Sequence, residues 1–201
     1  MSGHLQRWAD AVERHFGFVD AFGFRSLGAE ERSQWETSIV YKSRQVALKI
    51  SLSREFSRAE VNLIRLVDDR VPPYPIWITE EVLNWTLLDN VIEARRPDLS
   101  AQIPSGGLQE DELERQLETW AELLRLVAPE FLEGDPSAID DAAVVIRQRV
   151  SEHPQQVTVW LPEDTPSNAD RDLVGDVRGS VPPNVDVKVA HYSRWRRKRS
   201  G

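Results

Sequence analysis

The sequence predicts an α+β fold in which an N-terminal helix precedes an antiparallel β-meander and C-terminal helices, with a strand-helix-strand unit appended. Three patterns predict it. Val46, Leu48, Ile50 and Leu52 alternate with Ala47, Lys49 and Ser51, the period of two expected of a half-buried antiparallel strand. Leu113, Leu117, Trp120, Ala121, Leu124, Val127 and Ala128 step by three and four, as one face of a helix does. Val157, Val159 and Leu161, and later Val185, Val187 and Val189, alternate on either side of a helical pattern, which is the rhythm of a crossover unit.

The elements follow in order. Leu5, Trp8, Ala9, Val12 and Phe16 share one helical face, and Gly17 stops that helix. Phe18 to Gly28 reads as irregular chain or short strand lying over the core. Trp35 to Tyr41 forms an extended run, and the polar Lys42-Ser43-Arg44-Gln45 joins it to the Val46–Leu52 strand as a hairpin. Ala59, Val61 and Leu63 alternate before the phase shifts to Ile64 and Leu66, predicting a bulge or strand end near Leu63. Val71-Pro72-Pro73-Tyr74-Pro75 is excluded from a central strand, because proline has no ladder donor. Ile76 to Thr79 is expected to be a short edge strand. A helix is expected from about Thr86 to Arg95, ended by Pro97. Next come a loop at Ala101 to Gly107, the long helix from about Leu108 to Ala128, and a short turn through Phe131 and Leu132. Gly134-Asp135-Pro136 then offers a stop, a cap and a first helical position for a helix from Ser137 to Val150.

The domain reading is an α+β domain at 1–152, the strand-helix-strand appendage at 155–192, and a basic tail at 193–201 expected to be disordered. Two parallel strands and one helix bury too little surface to stand alone, so the appendage is expected to extend the first sheet or to dock, within the chain by preference.

A chain of 201 residues, 40% apolar and 29% charged, belongs with soluble globular proteins. No apolar run approaches the roughly 20 residues of a membrane helix. Residues Met1 to Asp10 lack the apolar core of a secretory signal, so a cytoplasmic location is expected. The absence of cysteine excludes disulfides and thiolate chemistry.

Catalytic patterns are missing, and neither a cofactor nor a metal is expected. His4, His15, His153 and His191 have none of the close spacings of a zinc helix, and His15 reads as a satisfied structural imidazole. Gly106-Gly107 lacks the Lys-Ser/Thr of a phosphate loop, and no Gly-x-Ser-x-Gly elbow is present. Asp68-Asp69 and Asp140-Asp141 are adjacent pairs whose side chains project in different directions, which suits capping and solvation.

Charge patterning is more informative. Glu110, Glu114, Glu118 and Glu122 recur by four on the long helix, placing like charges about 6 Å apart along one face, with Arg115 and Arg125 as partial relief. Such a row is a candidate wall for a cationic partner. Trp160 points opposite Val159 and Leu161 on its strand and is a candidate contact residue. Arg194, Trp195, Arg196, Arg197, Lys198 and Arg199 combine cations with a stacking aromatic, the chemistry of weak nucleic-acid binding, in a chain of net charge −8.

His15-Phe16-Gly17-Phe18, Ser38-Ile39-Val40-Tyr41-Lys42-Ser43 with the strand after it, Ala121-Glu122-Leu123-Leu124-Arg125 and Phe131-Leu132-Glu133-Gly134-Asp135 resemble a loose group of small uncharacterised bacterial proteins. The resemblance spans about residues 5–150. It implies a helix, an antiparallel meander and C-terminal helices, with an immunity-protein role in some members and no catalytic residues. The expected function is therefore non-enzymatic protein binding, as an immunity or accessory protein of a bacterial toxin or defence system, with a partner that presents a basic surface. A nucleic-acid-associated role through the tail is the alternative, and a homodimer is left open.

Overall fold

The computed structural model describes residues 3–33, 36–53, 58–72, 75, 78–79, 82–107, 109–152, 156–162 and 186–192, of which 3–5, 32–33, 110, 150–152, 156–162 and 186–192 are described by their backbone. Two compact units divide the chain, Met1–Val145 and Ile146–Gly201, so the division falls inside a helix rather than at the predicted 152–155.

The first unit is the predicted α+β arrangement. Helix α1 (Gly3–Phe16) leads into a 3-10 turn (Gly17–Phe22) and then into five antiparallel strands in sequence order, β1 (Arg25–Ser33), β2 (Glu36–Lys42), β3 (Val46–Ser53), β4 (Arg58–Arg65) and β5 (Trp85–Leu87). Helices α2 (Leu88–Arg95), α3 (Glu110–Val127), α4 (Pro129–Leu132) and α5 (Ser137–Glu152) follow. Ile39 and Tyr41 of β2, Leu48, Ile50 and Leu52 of β3, and Val61 and Leu63 of β4 line the inner face of the sheet in register. Trp8, Val12 and Phe16 of α1 join this core with Leu117, Trp120 and Leu124 of α3, all essentially inaccessible.

Strand β3 is buried along nearly its whole length rather than half-buried. Its outer-facing Lys49 pairs with Glu36 at 2.5 Å and lies 5.3 Å from the Trp85 ring, so a cation that looked solvent-facing by alternation is held by a carboxylate and an aromatic face. A second small cluster, Ala47, Ile64 and Trp85 with Val40, Leu66 and Val71, seals the outer face beside it. That cluster also explains β4, which runs unbroken from Arg58 to Arg65 with no bulge at Leu63. The phase shift at Ile64 reflects apolar residues on both faces.

Other expectations are corrected at the edges. The segment Phe18 to Gly28, expected to be irregular chain or short strand, ends in edge strand β1, which continues to Ser33 and whose register shifts between Ser26 and Ala29 at Leu27-Gly28. Gly28 sits at φ +94°, a left-handed backbone that glycine adopts without strain, and Leu27 is left exposed. Trp85 and Thr86 pair with Ile64 and Leu63 as β5, so α2 begins two residues later than expected, at Leu88. The other expected edge strand, Ile76 to Thr79, falls partly outside the described residues. Asp68 and Asp69 have φ of +51° and +59° between the bridged Val67 and Arg70, the geometry of a type I′ turn.

In the second unit β6 (Gln156–Pro162) and β7 (Asp186–Tyr192) pair in parallel, from Gln156↔Asp186 to Pro162↔Tyr192, as a crossover requires. They form a two-stranded sheet of their own rather than an extension of the five-stranded one. The helix expected between them, carried by Ala169, Leu173 and Val177, lies outside the described residues, as does the tail.

Candidate functional site

Helix α3 carries the predicted acidic row, and its placement begins with what anchors it. Gln116 is buried, where its Oε1 accepts the Ala59 N–H at 2.9 Å and its Nε2 donates to the Gly107 carbonyl at 2.7 Å. Trp120 Nε1 donates to the Ala59 carbonyl at 3.0 Å. Both polar groups of Ala59 on β4 are thus met by α3 side chains, beyond the stretch of β4 that the short β5 covers. At the N-terminus the Glu112 carboxylate accepts the Gln109 N–H at 3.4 Å, half of a capping box. The helix is fixed to the sheet by hydrogen bonds as well as by its apolar seam.

The four glutamates do not form one wall. Glu114 turns toward α1, where Arg14 Nη2 donates to its Oε1 and His15 Nε2 lies 2.6 Å from its Oε2. Partial burial pushes the Glu114 carboxyl pKa upward, but the hydrogen bonds from His15 and Arg14, with their charge, outweigh burial and hold it below the usual carboxylate range. Its charge is answered within the molecule. Including Glu114 among residues open to a partner is therefore corrected: the step from α1 to α3 in space, invisible in local spacing, places two donors against it.

Glu118 and Glu122 are different. Both are exposed, and neither forms an ion pair with a described residue. The relief expected from Arg115 and Arg125 goes elsewhere. Arg115 Nε donates to the Asp111 carbonyl at 3.2 Å, and the Arg125 guanidinium sits 3.5 Å from the centre of the Phe18 ring. One turn beyond Glu122, Leu126 is 53% exposed on the same ridge. The Glu110 side chain lies outside the described residues. So do the side chain of Trp160, whose backbone pairs opposite Ala190, and Arg194 to Arg199.

The remaining polar groups serve the fold. Tyr41 donates to Glu13 Oε2 at 3.1 Å, and burial first, then the Glu13 charge, raises the phenol pKa well above its ordinary value. Asp140 and Asp141 do splay apart, Asp140 onto Arg65 and Asp141 onto Arg95, and both pairings fasten α5. Among the described residues no three His, Asp or Glu side chains are close enough to hold a metal ion. His15 does find the structural partner expected of it.

No protein-family model matches the chain, and no curated protein or solved structure matches it.

Proposed function

We propose that the protein is a non-enzymatic binding protein that receives the basic surface of a partner protein on the outer ridge of α3, in the manner of an immunity or accessory protein of a toxin or defence system. The observation that carries this reading is the contrast along one row. Glu114 is paired with Arg14 and His15, whereas Glu118 and Glu122 stand exposed and form no ion pair with a described residue.

Two like charges one turn apart cost the helix a few tenths of a kcal/mol. A cationic partner would relieve that repulsion, and long-range attraction would speed encounter in an ionic-strength-dependent way. Leu126 adds apolar area next to the charges, the combination of contact core and polar rim that interfaces use. Because Leu117, Trp120 and Leu124 lock the opposite face in the core, the ridge is rigid before contact and little ordering opposes binding.

The test is charge reversal in the full chain. Glu118→Lys with Glu122→Lys should abolish salt-sensitive capture of basic partners while the melting temperature changes by no more than about 2 °C, since both sites are exposed. Unchanged capture by the folded double variant would remove this ridge as the binding site. Capture that instead disappears on deleting residues 193–201 would transfer the function to the tail and Arg194–Arg199.

A further inference from the structure

We infer that the first unit also holds a binding site for a small phosphorylated molecule, in the cleft where the β2–β3 turn, the end of β4, the Asp68-Asp69 turn and the start of α5 converge. This site is separate from the α3 ridge and does not depend on it.

The cleft has a volume of about 570 Å³ and is lined by Arg44, Gln45, Arg65, Leu66, Asp69 and Pro136. That is within the range of roughly 300–1,000 Å³ typical of small-molecule sites. Its walls are tied together. The Leu66 N–H donates to the Gln45 carbonyl at 3.1 Å, and the Ser43 N–H donates to the Val46 carbonyl at 2.9 Å, closing the hairpin around Arg44 and Gln45. A Cβ on Gly134 would lie 3.6 Å from Gln45 Oε1, so the Gln45 amide reaches across to the turn that precedes α5.

Arg44 is exposed and makes no hydrogen bond or ion pair with a described residue. Arg65 donates from Nη2 to both oxygens of Asp140, at 2.8 and 2.7 Å, while its buried Nε finds no acceptor among the described residues. That Nε is enclosed, so Arg65 can meet a molecule in the cleft only through the part of its guanidinium that remains accessible, its side chain being 19% exposed. Asp69 is drawn away by Lys42, whose Nζ lies 3.1 Å from its carboxylate and 2.8 Å from its carbonyl. Lys42, Arg44 and Arg65 against Asp69 and Asp140 leave one positive charge in surplus, in a chain whose net charge is −8. The N-terminal end of the 16-residue α5 adds a partial positive charge at Pro136, although Asp135 Oδ1 already accepts the Ser137 N–H at 2.9 Å.

The geometry favours phosphate over carboxylate. The Asp140 carboxylate already occupies Nη2 of Arg65, so a second planar, two-point pairing is obstructed there. A tetrahedral dianion can instead take single hydrogen bonds from donors arriving along different directions, here Arg44, Arg65 and Gln45. Lys42, paired with Asp69, offsets the repulsion that this carboxylate would otherwise exert on the ligand.

The experiment is a calorimetric titration of the full chain with inorganic pyrophosphate at constant ionic strength, with citrate and sulfate as comparisons. Saturable binding of pyrophosphate is expected, with weaker binding of the other two. Arg44→Ala should melt like the parent and weaken pyrophosphate about tenfold or more, as loss of a charge-assisted hydrogen bond does. Arg65→Lys, which retains a cation for Asp140 and removes the guanidinium fork, should weaken it several-fold; if that variant does not fold, Arg44→Ala decides alone. Absence of saturable binding, affinity unchanged by Arg44→Ala, or citrate bound as tightly as pyrophosphate would each overturn the inference.

Discussion

Ala59 has no functional side chain, yet its backbone is where helix and sheet are joined. Gln116 takes its N–H and Trp120 its carbonyl, so both side chains are chosen by the needs of a strand 57 and 61 residues away. Neither requirement is visible in the local sequence, where Gln116 reads as one more polar residue and Trp120 only as part of the apolar seam. Glu114 is a second case, since its spacing by four assigns it to the exposed row and only the fold sets it against Arg14 and His15. Because its carboxyl is held below the ordinary range in the folded protein, Glu114 stabilises the fold fully above the unfolded-state carboxylate pKa. That contribution disappears as pH falls through the lower, folded value. Glu114→Gln should therefore cost about 0.5–1 kcal/mol at pH 7, a modest figure because the Arg14 side chain is 58% exposed, and progressively less as the pH is lowered toward 3. Denaturant melts of both proteins at the two pH values check this; an equal cost at both would assign the loss to packing.

At the scale of elements, legibility tracks how completely one physical constraint governs a segment. Helices α1 and α3 each bury one stripe against the sheet, so period alone located them; α1 ends at Phe16, immediately before the Gly17 that the sequence marks as its stop. β1 is an edge strand rich in charge, with Glu30, Glu31, Arg25 and an exposed Leu27 at its bulge, features that protect an edge and erase alternation. β5 is three residues long and its Thr86 blends into the helix that follows. For α5 the hydrophobic pattern predicted the helix, but the sequence does not show which cations fasten it. Arg95 retains Glu130 and the Val127 carbonyl if Asp141 is lost, whereas Arg65, already short of an acceptor at Nε, depends on Asp140. Asp140→Asn should accordingly destabilise by about 1.5–3 kcal/mol, and Asp141→Asn by less than about 1 kcal/mol. Equal values from urea unfolding would show that the two pairings are interchangeable. The phosphate cleft illustrates the same limit, because its walls come from four segments whose only common property is where the fold brings them.

For the whole molecule, the balance of charge sets the response to salt. The net charge of −8 repels itself most through exposed groups such as Glu118 and Glu122, where ions screen well. Lys49 with Glu36 and Arg65 with Asp140 involve cations only 7% and 19% exposed, and buried pairs are screened much less. Raising sodium chloride from about 10 to 200 mM should therefore raise the melting temperature by a few degrees, as repulsion fades faster than attraction. A fall in scanning calorimetry would mean that exposed ion pairs outweigh the repulsion. The α+β class was fully legible at this scale, since it needed only the order of strong patterns. The connectivity also bears on the order of assembly. Every ladder in the five-stranded sheet joins strands that are neighbours in sequence, and the β1–β2, β2–β3 and β3–β4 hairpins close short loops, whereas β5 joins β4 only across residues 66–84. Docking α1 onto α3 brings together residues 99 and 100 positions apart, the much larger closure. The meander can thus zip before that closure is made, and Glu114→Gln is expected to speed unfolding more than it slows folding, which stopped-flow rates in denaturant would check.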